Sequence, residues 1–248
     1  ATTGTVTATV TAATAAALNK ALTDTDLNAY TLKISKGTAA ATDLNALDAK
    51  TSVNVKAEDV TLITGTFAEV NAALVTNAAT LLTADNVAAT LSGTVSAANA
   101  QLIAAATEGK VTATIAAGTA SDLNTALTDT IFPKDGNAYT LTVNNGAGVS
   151  AAAAHLIALD AKTSVKVKVD AVEVSGAYAD LEKVYVTNKA GFANLGDEKV
   201  AITGVNVTAD KVNVIAKATK GVVTATVTAN TADVLVANLK DASATDKL

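Results

Sequence analysis

The amino-acid sequence predicts an α/β repeat solenoid: about nine strand–helix coils, with a continuous parallel β-sheet on one side and a row of short helices on the other. Three observations lead there. Long segments recur, a unit of about 27 residues recurs inside them, and each unit joins a β-branched run to an Ala/Leu run of helical spacing.

The long repeat is legible by eye. Gly4-Thr5-Val6-Thr7-Ala8-Thr9-Val10 returns as Gly109-Lys110-Val111-Thr112-Ala113-Thr114-Ile115, and again as Gly221-Val222-Val223-Thr224-Ala225-Thr226-Val227. Asn28-Ala29-Tyr30-Thr31-Leu32 is answered by Asn137-Ala138-Tyr139-Thr140-Leu141, and the run from Leu47 to Val53 recurs unchanged from Leu159 to Val165. Residues 1–248 therefore read as one solenoid domain, with long repeats at 1–106 and 107–218 and a partial third at 219–248.

Strands are expected where apolar and polar residues alternate. Thr5, Thr7, Thr9 and Thr11 fall on one face with Val6, Ala8 and Val10 on the other, and Val165, Val167 and Val169 alternate with Lys166, Lys168 and Asp170. The extended runs centre near Thr7, Thr31, Val60, Ala88, Thr112, Thr140, Val172, Ala201 and Thr224. Helices of about ten residues are expected from i, i+3 and i+4 pairs such as Leu18 with Leu22, Leu44 with Leu47, Val70 with Leu74, Leu123 with Leu127, and Leu235 with Leu239. Thr66-Phe67-Ala68-Glu69 is a capping-box pattern, and Thr42, Ser150 and Thr208 stand as helix-start signals. A helix-length crossover between strands makes each pair parallel, and small Ala lets helices approach the sheet closely. The sole proline, Pro133, falls in an insertion relative to the first long repeat, where a loop tolerates it.

Composition excludes several functions. The chain has 248 residues with a net charge of -5, 18 basic residues that are all Lys, one His, and no Cys, Met or Trp. Without the fork of Arg, and on an acidic background with 3% aromatic residues, nucleic-acid binding is not expected. Thiol chemistry, disulfides and Cys/His zinc sites are ruled out by residue count. No uninterrupted apolar stretch is long enough for a membrane span.

The residues that could carry chemistry have plainer readings. His155 occupies the repeat position of Asp43 and reads as a helix-surface residue, because a catalytic imidazole needs a partnered cleft. The recurring Leu-Asp-Ala-Lys, with Asp48 and Lys50 and again Asp160 and Lys162, reads as a helix-ending element rather than an acid and base. Asp24, Asp26 and Asn28 open like a calcium loop, but Ala29 stands where the turn Gly belongs and no Glu closes it, and the second copy spreads Asp129, Asp135, Gly136 and Asn137 around the insertion. Calcium is accordingly the one cofactor left open, with a polar helix-to-strand turn as the plainer reading. Thr pairs at Thr7 and Thr9, Thr112 and Thr114, Thr140 and Thr142, and Thr224 and Thr226 invite an ice-binding or lattice-matching reading, but the array is broken by units with Lys, Asn or Ala. A polysaccharide-cleaving reading would need paired carboxylates, and Glu173 and Glu58 are isolated; activity lost on replacing Glu173 or Asp170 would overturn this view. The protein is not expected to be an enzyme.

Gly93-Thr94-Val95-Ser96-Ala97-Ala98-Asn99-Ala100, Val111 to Ile115, Leu44 to Asp48, and Ile63-Thr64-Gly65-Thr66 with Val70-Asn71 together resemble the Ala/Thr-rich tandem repeats of very large secreted bacterial surface proteins, common in cyanobacteria. That resemblance implies an extracellular or cell-surface structural role and transfers no catalytic residue; the glycine-rich calcium nonapeptides that often accompany such repeats are absent. The expectation is a building block of a fibre, surface layer or large surface protein, with a calcium-dependent adhesion or surface-binding module as the alternative. The partner is the chain itself, or neighbouring repeats of a longer chain, because a solenoid leaves an unpaired strand and apolar core at each end. The chain opens on a repeat strand at Gly4 and closes just after the ninth helix near Lys240, with no recognisable cap. Thr5, Thr7 and Thr9 at one end and Val223, Thr224 and Thr226 at the other are the expected self-assembly edges, joined head to tail by stacking residues 3–10 on residues 222–227.

Overall fold

A computed structural model describes residues 4–128 and 136–248. The chain divides into two compact units, Ala1–Ile115 with Leu127–Tyr139, and Ala116–Ala126 with Thr140–Leu248. Pro133, Asp129 and Asp135 lie outside the described residues, as does Thr3 of the expected edge strand.

In unit 1 the strands are β1 (Thr7–Thr9), β2 (Ala29–Thr31), β3 (Gly37–Ala40), β4 (Val55–Ala57), β5 (Val60–Gly65), β6 (Leu81–Thr83), β7 (Ala88–Val95), β8 (Val111–Ile115) and β9 (Ala138–Thr140), the last ending at the unit boundary. Its helices are α1 (Ala15–Ala21), α2 (Ala41–Asp48), α3 (Phe67–Asn71) and α4 (Ala97–Ala104). Unit 2 holds α5 (Ala120–Ala126), β10 (Thr142–Val143), β11 (Ala151–Ala152), α6 (Ala153–Asp160), β12 (Val167–Val169), β13 (Glu173–Gly176), α7 (Tyr178–Glu182), β14 (Phe192–Ala193), β15 (Lys199–Ile202), α8 (Ala209–Ala218), β16 (Val223–Thr224) and α9 (Ala232–Asn238).

Among the described residues every strand pair is parallel and no barrel closes. The expected single continuous sheet is replaced by five: β1-β2, β4-β6, β3-β5-β7-β8-β9, β10-β12-β14 and β11-β13-β15-β16. The cause is a corner within the extended runs. Glu58 and Asp59 turn the chain between β4 and β5, so a single run supplies one strand to each of two sheets. Val172 makes the same corner between β12 and β13 and is 52% exposed rather than at the centre of a strand. Alternation is clean where a strand is long enough: Val111, Ala113 and Ile115 are buried, with Thr112 and Thr114 exposed between them. Lys166 and Lys168 are exposed as expected, and Val167 and Val169 buried. Val165 is exposed instead, because its N–H is taken by Thr163 Oγ1 at 3.1 Å in a turn before the strand begins.

The helices are five to ten residues long, too short to stand alone, and all but α9 bury one side. Leu44 and Leu47 of α2, Ala100 and Ile103 of α4, Leu156 and Leu159 of α6, and Val212 and Ile215 of α8 are all fully buried. These four helices start at Ala41, Ala97, Ala153 and Ala209, 56 residues apart at every step. The capping box at Thr66 and Glu69 forms as expected. Other start signals differ: Thr42 lies inside α2, whose N-cap is Ala40, and Ser150 precedes the N-cap Ala152 and bonds Ser175 instead. Thr208 is the N-cap residue of α8.

Two features escaped sequence reading. Thr51, Thr107, Thr163 and Thr219, again 56 apart, are buried just after α2, α4, α6 and α8. Each Oγ1 accepts the N–H two residues on, from Val53, Gly109, Val165 and Gly221. Thr51 also donates to the Tyr30 carbonyl at 2.8 Å, and Thr107 and Thr219 reach carbonyls 20 to 23 residues back. The turn is tight: a Cβ on Gly109 would stand 2.3 Å from the Val87 carbonyl oxygen. The second feature is a wide π-turn after α3 (Ala72–Thr76) and after α7 (Lys183–Thr187), ended by Asn77 and Asn188.

Candidate functional site

Asp24, Asp26 and Asn28 come together, as a brace within the fold. Asn28 begins the chain's approach to β2 and is buried, and its Oδ1 accepts the Val6 N–H at 2.8 Å. Its Nδ2 donates to Asp24 Oδ2 and to the Asp26 carbonyl at 3.2 Å. The Tyr30 hydroxyl donates to the same Asp24 oxygen at 2.7 Å, and this bond chiefly holds the Asp24 carboxyl below its ordinary range. Asn28 thus turns its nitrogen, not its oxygen, toward the acidic pair. A cation here would have to displace bonds that begin a strand.

The same brace recurs. Val111 N–H donates to Asn137 Oδ1 at 2.8 Å, and Val223 N–H to Asp246 Oδ1 at 2.7 Å. Each strand of the Val-Thr-Ala-Thr type therefore has its first N–H satisfied by an Asn or Asp 22 to 26 residues later. Among the described residues no group of three or more His, Asp or Glu is placed to hold a metal ion.

The Leu-Asp-Ala-Lys elements serve helix ends. Lys50 Nζ donates to the carbonyls of Asn19 and Leu22 at the end of α1, and Lys162 Nζ to that of Asn124 in α5 at 2.8 Å. Burial lowers the Lys162 pKa. Asp48 accepts from Thr80 Oγ1, and Asp160 from Asn188 Nδ2 at 2.6 Å. His155 is half-buried on α6. Asp170 is bonded to Lys168 at 2.6 Å, which lowers its pKa, and to Asn194. Glu173 lines a small pocket beside Ser150 and Lys199. A carboxylate that sequence reading passed over, Glu198, is buried, accepting from Tyr185 Oη and the Gly196 and Asp197 N–H groups. Nothing in the alternation singles it out, because it closes a turn and not a strand face.

The expected edges differ from one another. Among the described residues β1 pairs with β2 alone, and Thr5, Thr7 and Thr9 are exposed while Val6, Ala8 and Val10 are half-buried. At the other end the strand edge is covered by the chain itself. Beyond Lys240 the tail turns back, so that Lys247 N–H donates to the Val223 carbonyl at 2.8 Å and Ala225 N–H to the Lys247 carbonyl at 2.9 Å. Val223 and Thr224 are thus not a bare edge, contrary to expectation: the tail bridges at Thr224 and Lys247. Past this bridge the cover stops. A groove of about 560 Å³ opens between Ala225–Ala229, Leu235 and Leu239 of the last helical segment, and Leu248. Helix α9 buries no residue, and Val236 is 76% exposed. Thr226 lies exposed on the rim of this groove.

Among the described residues no helix is long and apolar enough to cross a membrane. Set against protein families, characterised proteins and solved structures, the chain matches none.

Proposed function

We propose that the chain is a solenoid of nine strand–helix coils that serves as a non-catalytic structural block of an extracellular fibre, surface layer or large surface protein, assembling through its terminal coils. The observation that carries this reading is the groove beside α9. It leaves Leu235 and Leu239 half-buried and Leu248 exposed, where the preceding helices α1 and α5 bury Leu18 and Leu123. Burying that patch under a further coil gains roughly 25 cal/mol for each Å² of apolar surface removed from water. Support for the solenoid comes from nine helices among the described residues, each preceded by parallel-paired chain, and from the fixed 56-residue step. The extracellular setting rests on the Ala/Thr-rich resemblance, and the acidic, Arg-free composition favours no nucleic-acid partner.

The test is sedimentation over a concentration series, with electron microscopy of the same samples. Linear oligomers that lengthen with concentration are expected, and Leu239→Asp is expected to abolish them. Monomers at every concentration would overturn the assembly reading.

A further inference from the structure

The groove beside α9 has a filled counterpart in unit 1. Val6, Ala8, Leu18 and Leu22 correspond to Val223, Ala225, Leu235 and Leu239 at a constant spacing of 217 residues, and α1 and α9 are both seven residues long. In unit 1 the next coil covers this surface. Tyr30 stands in register beside Ala8, and Leu32 and Ile34 are fully buried beyond it. Asn28 caps Val6, and Lys50 reaches the carbonyl end of α1. Under that cover Leu18 is 3% exposed.

At α9 the same set of interactions is begun and left unfinished. Asp246 does for Val223 what Asn28 does for Val6, and Lys247 pairs with Thr224 as Ala29 pairs with Thr7. From there the groove is open, and the last turn of α9 carries no basic residue. What would close it is a strand with large apolar residues at alternate positions and a lysine about twenty residues later. Residues 28–50 have that pattern in Tyr30, Leu32, Ile34 and Lys50.

The order of strands argues against β1 as the occupant. β8, the second strand of the β1 type, lies between β7 and β9, and β9 carries the Asn-Ala-Tyr-Thr sequence. A β1-type strand therefore takes the Asn-Ala-Tyr-Thr strand as its next neighbour. Stacking β1 of a second molecule on β16 would bring Ala8 to a groove that Tyr30 and Leu32 fill in unit 1, and alanine cannot fill that volume.

Resting on the assembly reading above, we propose that the terminal coil of one molecule, residues 221–240, displaces residues 4–22 of a second and seats on that molecule's residues 28–50. Molecules then link by exchanging equivalent coils, a low-cost route to association because the packing and hydrogen bonds that β1 and α1 give up are remade by an equivalent coil. The exchange also covers Leu235 and Leu239 and supplies a cation, Lys50, to the carbonyl end of α9. The short tail from Asp246 leaves when Asn28 and Ala29 of the second molecule take its positions. Among the described residues β1 has β2 as its one strand partner, and it is the element most easily opened. Its tether to residues 28–50 of its own chain gives it an effective concentration in the millimolar range, so linking rises with protein concentration.

The test uses the full chain and its lack of Cys. Thr9 and Thr31 are in register in unit 1, and Thr226 is the counterpart of Thr9. Neighbouring strands about 4.8 Å apart bring such a pair within disulfide reach. Single variants Thr226→Cys and Thr31→Cys are mixed at high concentration and oxidised, beside a mixture of Thr226→Cys with Thr9→Cys. The expected result is a 226–31 disulfide between molecules at about tenfold or more over 226–9, lost when Leu235→Asp is added to the first variant. Oligomers that give the 226–9 bond in excess would overturn the exchange and leave simple stacking. Oligomers with neither bond would overturn the exchange alone, and monomers with neither bond would overturn both it and the assembly reading.

Discussion

Helices α2, α4, α6 and α8 keep strict step, while α1, α3, α5, α7 and α9 do not. The even helices start 56 residues apart each time, whereas the odd ones start at Ala15, Phe67, Ala120, Tyr178 and Ala232, at intervals of 52, 53, 58 and 54. The even helices are each followed by a buried Thr that closes its own turn, and Thr51, Thr107 and Thr219 also tie that turn to a neighbouring stretch of backbone. Adding a residue there would orphan buried groups, at about 1–3 kcal/mol each. Of the odd helices, α3 and α7 run instead into π-turns that accommodate an extra residue in the helix. Variation in length collects at the odd helices and not at the turns that these buried threonines close.

The sharpest way to break this contrast is to move a residue. One Ala inserted between Thr163 and Ser164 should abolish the cooperative melt of unit 2, while the same insertion between Gly146 and Ala147, where both residues are exposed, should leave the melting temperature within a few degrees. Circular dichroism melts separate the outcomes, and equal losses would remove the distinction. Next in size, Leu156→Ala in α6 and Leu181→Ala in α7 should both cost about 2–5 kcal/mol in denaturant unfolding, because both side chains are fully buried. A large difference between them would mean that packing, and not the Thr tie, separates the two classes. Thr107→Val should cost about 1–3 kcal/mol by stranding Gly109 N–H, and exposed Thr80→Val within about 0.5 kcal/mol of nothing.

Titration gives the smallest effects. Burial and its bond to Glu182 push Tyr178, on the odd helix α7, up to about 12. A folded value above the ordinary 10 means that its contribution is whole below pH 10 and is lost as pH rises through about 12. Tyrosinate absorbance should therefore show a late-ionising group that disappears in Tyr178→Phe. Asp24 and Asp170 have depressed values, so what they contribute is present above about pH 4 and fades as pH falls below 3.8 through their folded values. Asp24→Asn should flatten the acid limb of an unfolding-against-pH curve slightly.

Much of this architecture was legible in the sequence because periodicity reports faces. Val111 to Ile115 alternates as read, and Leu44 with Leu47 lie in the core as read. The corner at Glu58 and Asp59 was not legible, since a charged pair between two apolar runs looks like the wet face of one long strand. The 56-residue step was hidden because its markers, Thr51 and Thr107, sit among 40 threonines, most of which merely suit a strand. Asp24, Asp26 and Asn28 meet in the fold, Asp26 through its backbone carbonyl. Their chemistry depended on which way the Asn28 amide turns, and spacing does not encode that. The open edge near Thr224 was misread because the tail's return to Lys247 depends on Asp246 repeating the role of Asn28 across a substitution.

Parallel pairing has a mechanical consequence. In each unit the ladder bonds run from one strand to the next, so tension applied across a unit, strand to strand, loads each ladder in series and opens it one rung at a time. A ladder loaded along its strands shares the force among all its bonds and gives way at once. Pulled across its strands, such a unit would lengthen in small repeated steps at low force. Each 56-residue step let out would release a contour of roughly 190 Å at 3.4 Å per residue.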